Sequence, residues 1–422
     1  MAMLINKTCL DNGIRVLSCH MPSIRSVTMG VWVNVGARDE TLSENGLSHL
    51  IEHMIFKGTT HRSAFQIAKE FDAIGGQTNA FTTMEHTCYH ARVMDTHLRT
   101  MVDILSDIFL NSVFDNSELE KEIPVILQEI SMLEELPDDY IHFLLEKDFW
   151  GNSPLGQSIL GTTEKITGLT TTDIRNFFNH HYQAERIVIS AAGNIDHGRF
   201  IDLIEPYFNS IPAGTFKFDR TPPPMNYRVN VYERPLEQVH ACIGTNGLSL
   251  TDPRRFAFSL LNTLLGGNMS SKLFQEIREK RGLAYYVYSF ISSYEDTGMF
   301  GAYVAVHPKH LLETIELIVK GMRSFKLNRI TASELKDAGE YIKTGLYMAS
   351  ESPESQMFRL AQNEVNFGDY IPLETVIEQI ESVTQDDILE LADSLFSPGC
   401  QALTMLGPVH GNDSFNDLLA QV

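Results

Sequence analysis

Hydrophobic and polar positions recur along the first half of the chain in two different periods. Period-2, β-rich runs, each predicting a strand with a buried face, occur at residues 27–35, 78–93 and 187–192. Apolar residues at helical spacing occur between these runs and after them, at residues 46–57, 64–74, 95–110 and 117–136. This mixture favours an α+β fold in which an antiparallel sheet is covered by helices.

The chain begins with two short apolar runs that flank a turn. Leu4-Ile5 and residues 14–17 surround Asp11-Asn12-Gly13, a pattern typical of a β-hairpin. This segment has no apolar core before a small-residue cleavage site, and no apolar run approaches the ~20 residues that span a bilayer. Five scattered cysteines without a CxxC pair favour a reducing compartment. We therefore expect a soluble, cytoplasmic protein.

The second half of the chain repeats the pattern of the first. Ile166 and Thr170 recur as Ile380 and Thr384, 214 positions later, within a longer match. A second matching stretch begins at Val93 and recurs 213 positions later. Such self-similarity at half the chain length predicts a tandem of two similar domains.

A proline-rich segment marks the boundary between the repeats. Residues 221–224 read Thr-Pro-Pro-Pro, which cannot continue a helix and suits an extended linker. We predict a first domain over residues 1–212, a linker over 213–226 and a homologous second domain over 227–422. The net charge of −21 argues against nucleic acid and anionic membranes as partners, whereas cationic substrates are compatible with it.

The predicted helix over residues 46–57 displays an H-x-x-E-H motif. At ~100° per residue, its apolar side chains gather on one side, and His49, Glu52 and His53 gather on the other. Histidines four apart can share one zinc ion, and the intervening Glu52 would then lie beside a zinc-bound water as its general base. The alternative is an amphipathic surface helix whose polar face contains these residues by chance.

A catalytic zinc usually has three protein ligands, and the helix over residues 117–136 supplies carboxylates for the third. Glu122 and Glu129 are seven positions apart and lie on one helix face, so one could bind the metal while the other supports the site. Glu134 and Glu135 are alternatives. Pro124 removes one helical hydrogen bond between Glu122 and Glu129 and could aim the two carboxylates differently.

The H-x-x-E-H at residues 49–53, followed by Glu129 76 positions after His53, resembles the zinc site of the pitrilysin/insulinase family of metallopeptidases. The size and duplication of the chain are similar to the branch of this family that contains the mitochondrial processing peptidases. The likeness extends over nearly the whole first half, through residues 33–38, 56–59, 79–82 and 155–161.

The resemblance implies roles for individual residues of the first half. It makes His49, His53 and Glu129 the Zn²⁺ ligands, Glu52 the general base and Glu122 a supporting carboxylate. It places Asn79, Ala80, Phe81 and Thr82 on an edge strand to which an extended peptide adds as a further strand, a mode that edge strands permit because their backbone groups are free. By the same likeness, Asp139 in the acidic stretch 134–139 would select a basic side chain near the scissile bond; a solvated charged turn is the alternative.

The second half lacks the ligands, because Leu260, Thr263 and Leu264 stand at the positions equivalent to His49, Glu52 and His53. Its Gly266-Gly267 pair lies in neither a GxGxxG nor a Walker sequence, which argues against a phosphate site. By resemblance, Arg278 and Tyr285 would stabilise the tetrahedral intermediate as donors to its oxyanion. They would act from the other subunit of a homodimer; the alternative for Arg278 is a solvated helix end.

Together these features predict a zinc-dependent endopeptidase that cleaves short unfolded peptides, including presequence-like segments, inside a closed chamber. Two other functions remain open. One is a catalytically silent structural or partner subunit of a processing-peptidase-like complex. The other is a peptide-binding module without turnover.

Overall fold

The computed structural model describes residues 4–214, 220–409 and 413–421, which divide into two compact units. The first unit comprises the described residues up to 131 together with 157–214 and 347–370. The second comprises residues 132–156, 220–346 and the described residues from 371 onward. Each unit is a sheet packed against helices, which confirms the predicted tandem α+β fold.

The first unit contains a six-stranded sheet in the order β1-β2-β6-β3-β5-β4. Its strands are β1 (Leu4–Cys9), β2 (Arg15–His20), β3 (Ser26–Val33), β4 (Gln77–Thr82), β5 (Thr87–Met94) and β6 (Ile187–Gly193). The β1–β2 pair is the antiparallel hairpin expected from the sequence. The other pairs are antiparallel except β2–β6, which is parallel. The edge position of β4 leaves one side of that strand unpaired within the sheet.

The second unit contains a five-stranded sheet in the order β7-β11-β8-β10-β9. Its strands are β7 (Val229–Tyr232), β8 (Val239–Asn246), β9 (Ala284–Ser293), β10 (Gly298–Val306) and β11 (Gln401–Leu406). The β7–β11 pair is parallel and the others are antiparallel. This order repeats that of the first sheet without β1. The register repeats too, since Val27 pairs with Val93 and Val239 pairs with Val306.

Helices follow the strands in a similar order in both halves, with eight in the first half and seven among the described residues of the second. In the first half they are α1 (Leu47–Met54), α2 (Ala64–Ala73), α3 (Leu98–Asn111), α4 (Asn116–Glu135), α5 (Pro137–Trp150), α6 (Thr163–Gly168), α7 (Thr171–His181) and α8 (His197–Phe208). In the second half they are α9 (Arg255–Asn262), α10 (Leu311–Leu327), α11 (Ala332–Ser350), α12 (Pro353–Phe367), α13 (Leu373–Ser382), α14 (Gln385–Leu395) and α15 (Asp413–Leu419). Within the described residues, no helix is both long and apolar enough to cross a membrane.

Helices α5 and α12 occupy equivalent positions in the two halves of the chain, but each belongs to the unit formed mainly by the other half. Helix α12 packs on β2, β3 and β6 of the first sheet, while α5 packs on β8 and β11 of the second. Strand β3 is buried along nearly its whole length, so its sheet needs a covering layer on both faces. The compact units therefore differ from the predicted continuous domains, 1–212 and 227–422, by the segments that carry these helices. Of the predicted linker, residues 215–219 lie outside the described residues.

Candidate metal centre

Helix α1 presents the H-x-x-E-H motif on the side opposite its packed face. Leu47, Leu50, Ile51 and Met54 are fully buried and join the core of the first unit. This burial fixes the rotation of the helix, so that the imidazoles of the two motif histidines lie one turn apart with ring centroids separated by 4.7 Å. The helical expectation for residues 46–57 is confirmed, with regular helix over Leu47–Met54.

Glu129 of α4 completes the group. One ligand atom from each of His49, His53 and Glu129 lies within 4.8 Å of the others. The Oε2 atom of Glu129 is 3.7 Å from Nε2 of His49 and 3.5 Å from Nε2 of His53. Among the described residues, this is the group of His, Cys, Asp and Glu side chains that could hold a metal ion, and Glu134 and Glu135 are outside it.

The chemistry of these three side chains fits a zinc ion. Glu129 Oε2 is inaccessible to solvent and accepts no hydrogen bond within the described structure, an arrangement that is costly without a cation. Burial, with a smaller contribution from His53, lowers the pKa of His49 to about 4, which keeps that imidazole neutral and able to bind a metal near neutral pH. Two imidazoles and one carboxylate form a ligand set typical of catalytic zinc, with a position left for water.

Glu122 contacts His53 on the side of the ring away from Glu129. Its Oε2 atom lies 3.1 Å from Nδ1 of His53, and its Oε1 atom lies 2.5 Å from the Lys57 ammonium. Burial alone would raise the pKa of Glu122, but the hydrogen bonds from Lys57 and His53 outweigh it and hold the pKa below its usual value. A carboxylate on Nδ1 fixes the ring orientation and leaves Nε2 to face Glu129.

Glu52 lies on the same face of α1, next to strand β4. Its Oε2 atom accepts a 2.6 Å hydrogen bond from the Thr82 hydroxyl. Burial raises the pKa of Glu52, and the Thr82 hydrogen bond opposes that shift. A carboxylate with a raised pKa that is held by a single short hydrogen bond is suited to accept and return a proton.

Strand β4 combines an open edge with a cavity of about 380 Å³. Phe56, which follows α1, and apolar side chains of α2 line part of the cavity, and the charged or titratable side chains of Glu52, His53, Lys57 and Glu122 line another part. Of the strand residues predicted to bind substrate, Asn79 and Ala80 line this cavity. Phe81 packs against Trp32 instead, with ring centroids 5.5 Å apart.

Arg278, Tyr285 and Asp139 all belong to the second unit. The Arg278 guanidinium stacks on the Tyr285 ring at 4.3 Å and donates to the Tyr285 carbonyl oxygen at 3.1 Å. Tyr285 lies on edge strand β9 and is 63% exposed. Asp139 lies in the exposed first turn of α5. The structure thus brings Arg278 and Tyr285 together.

Sequence reasoning missed two contacts of the metal centre. It gave Lys57 no role, although Lys57 follows His53 by four positions, the spacing that places side chains on one helical face. It placed Thr82 on the edge strand but did not predict its hydrogen bond to Glu52. No local pattern signals that contact, because the two residues are 30 positions apart.

The fold and the ligand set define the class of this protein: a tandem α+β chain with an inverted zincin motif. The Insulinase (Peptidase family M16) profile matches residues 15–163, and the Peptidase M16 inactive domain profile matches residues 168–340. The chain belongs to this family, which confirms the resemblance seen in the sequence.

Similar proteins cover nearly the whole chain. "Uncharacterized zinc protease YmxG" of Bacillus subtilis (strain 168) is 40% identical, over 96% of this chain and 98% of its own. An uncharacterized zinc protease of Streptomyces coelicolor is 36% identical, over 96% and 90%. The crystal structure of a protease from Helicobacter pylori superposes with a TM-score of 0.88 at 21% identity, covering 96% of this chain and 100% of the other. That structure shows the fold alone.

Proposed function

We propose that the protein is a zinc-dependent endopeptidase that hydrolyses unfolded peptides. The observation that carries the proposal is the convergence of His49, His53 and Glu129 beside Glu52. The names of the relatives, all zinc proteases, support zinc as the cofactor. When bound, zinc in such a site polarises a carbonyl oxygen and acidifies water.

Side chains of the first unit bind the metal, orient its ligands and transfer the proton in this proposal. His49, His53 and Glu129 hold the metal, and Glu122 orients the His53 ring through Nδ1. The Glu52 carboxylate accepts the proton of the attacking water and returns it to the leaving amine. Thr82 fixes Glu52 in position through its hydroxyl.

Strand β4 supports an extended peptide as the substrate. Its free edge offers backbone N–H and C=O groups that pair with a peptide of any sequence. The cavity beside it accepts an apolar side chain, because Phe56, Ile67 and Phe71 form part of its wall. Only an unfolded segment can add as a strand and reach the metal, which limits substrates to short or presequence-like peptides.

The second unit supplies the remaining groups in this proposal. Arg278 and Tyr285 donate to the oxyanion of the tetrahedral intermediate, and Asp139 attracts a basic side chain of the substrate. They act across a homodimer that encloses the reaction in a chamber. A cytoplasmic location stays a prediction from the sequence.

The experiment compares the purified protein with Glu52→Gln on an internally quenched peptide library, with zinc content measured for both. The variant should keep zinc and lose at least about 100-fold in kcat/KM, because it keeps the shape of Glu52 but cannot accept a proton. A zinc-loaded wild type without turnover would instead indicate the silent partner subunit or the peptide-binding module.

A further inference from the structure

Helix α1 begins without a capping side chain of its own. Its N-cap residue is Gly46, at φ 96°, and it makes no side-chain cap hydrogen bond. A side chain cannot be accommodated there, because a Cβ on Gly46 would meet Ile166 Cδ1 at 2.5 Å and Gly161 Cα at 3.1 Å. The first backbone N–H groups of the helix therefore need another acceptor.

Glu40, six residues before Gly46, supplies that acceptor. Its Oε2 atom accepts from the Gly46 amide at 2.7 Å, and its Oε1 atom accepts from the Ser48 amide at 2.7 Å. The Glu40 residue is only 5% exposed. The Ser48 amide immediately precedes His49, so Glu40 holds the helical turn that carries the first metal ligand.

Glu40 is itself held against the sheet. The preceding segment hydrogen-bonds to the turn between β4 and β5, through the Ala37 amide to the Thr83 carbonyl and the Arg38 amide to the Met84 carbonyl. The Arg38 guanidinium also donates to the Glu85 carboxylate at 2.6 Å, with both side chains about 4% exposed. Because a buried ion pair anchors this segment, Glu40 cannot follow α1 if the helix shifts.

We propose that Glu40 is a positioning residue of the metal centre, which replaces the missing cap of α1 and fixes His49 relative to His53 and Glu129. The inference rests on the proposed zinc function but assigns a different residue. Helix α1 has only eight residues, so a loose first turn changes the position of His49 directly. Partners that hydrogen-bond to metal-ligating side chains typically change metal affinity by about 10- to 100-fold, and Glu40 acts one step further out, through the backbone of the turn that carries His49.

The test measures zinc affinity by chelator competition and the absorption spectrum of the Co²⁺-substituted protein, for wild type, Glu40→Ala, Glu40→Gln and Glu44→Ala. Glu44 is the matched control, since within the part of the chain that the structure describes its side chain hydrogen-bonds only to nearby Thr41 on the same loop. We expect Glu40→Ala to raise the zinc Kd at least about 10-fold and to shift the cobalt bands. Glu40→Gln keeps one acceptor oxygen and should be intermediate, while Glu44→Ala should match wild type.

A Glu40→Ala protein that folds, as judged by circular dichroism, and keeps the wild-type Kd and spectrum would overturn the inference. If Glu40→Ala does not fold, Glu40→Gln decides: a wild-type Kd and spectrum in that variant overturn it equally. A wild type that binds no zinc would overturn the proposed function, and with it the inference. These outcomes separate the failure of the inference from the failure of the function.

Discussion

Individual side chains around Glu52 set the protonation of the proposed base. Burial raises the pKa of Glu52, and the Thr82 hydroxyl is the strongest of the groups that lower it. Lys57 plays a comparable part at Glu122, where its ammonium keeps the supporting carboxylate ionised. The protonation of these two carboxylates therefore depends on neighbouring side chains, Thr82 and Lys57, that are not metal ligands.

Removing the Thr82 hydroxyl should shift the acidic limb of the pH profile of kcat/KM to higher pH. Thr82→Val keeps the shape of the side chain but loses the hydrogen bond to Glu52, so the pKa of Glu52 rises further above its usual value. A base must be ionised to act, so a higher pKa means that kcat/KM falls at a higher pH on acidification. The measurement is the pH profile of kcat/KM, with zinc content as the control. An unchanged profile in zinc-loaded protein would contradict the role of Thr82.

At the scale of helices and strands, the main feature is that α5, from the first half of the chain, packs on the second sheet, while α12, from the second half, packs on the first. Helix α12 lies on the first sheet through a small apolar cluster that includes Met357 and Trp32, and the Trp32 indole donates to the Met357 sulfur at 3.4 Å. Gly30 leaves space for this contact, because a Cβ there would meet the same sulfur at 2.6 Å. Lys7 also pairs with Glu364 of α12 at 2.6 Å.

Shortening Met357 should destabilise the first unit. Met357→Ala removes a fully buried side chain, and such changes typically cost about 2–5 kcal/mol. Each unit contains one tryptophan, so urea unfolding followed by fluorescence in a Trp150→Phe background reports Trp32. Met348→Ala is the matched control, since Met348 lies exposed on α11. Equal unfolding midpoints for the two alanine variants would show that α12 does not stabilise the first unit through Met357.

At the scale of the whole molecule, the proposed active centre draws on both units and on two subunits. The metal group belongs to the first unit, and Arg278 and Tyr285 belong to the second. If these donors act on substrate bound in the partner subunit, two variants that are defective in different residues can form one intact site in a mixed dimer. A monomer cannot do this.

Mixing two inactive variants should restore activity. We expect Glu52→Gln and Arg278→Ala to be weak alone, the latter by about 10²–10³ in kcat. After subunit exchange, half of the dimers are mixed and one of their two sites is intact, so about a quarter of wild-type activity should return. Sedimentation equilibrium would establish the oligomer. Mixed dimers without recovered activity would show that Arg278 does not act across the subunits.

The sequence by itself determined the features that depend on local spacing and on duplication. Four positions separate His49 from His53, one helical turn that places both on one face wherever the helix packs. The repeats at offsets of 213 and 214 residues predicted two similar sheets, because similar patterns of apolar residues form similar strands and helices. From spacing alone, the choice among four glutamates for the third ligand stayed open; family resemblance favoured Glu129.

Tertiary structure decided what depends on contacts between distant segments. It placed Glu129 beside the imidazoles, Thr82 on Glu52 and Glu40 at the start of α1, none of which a local period encodes. It also decided that α5 covers the second sheet and α12 the first, since each sheet needs a covering layer on its second face. The sequence pattern shows that a helix is amphipathic, but it does not show which sheet the helix covers.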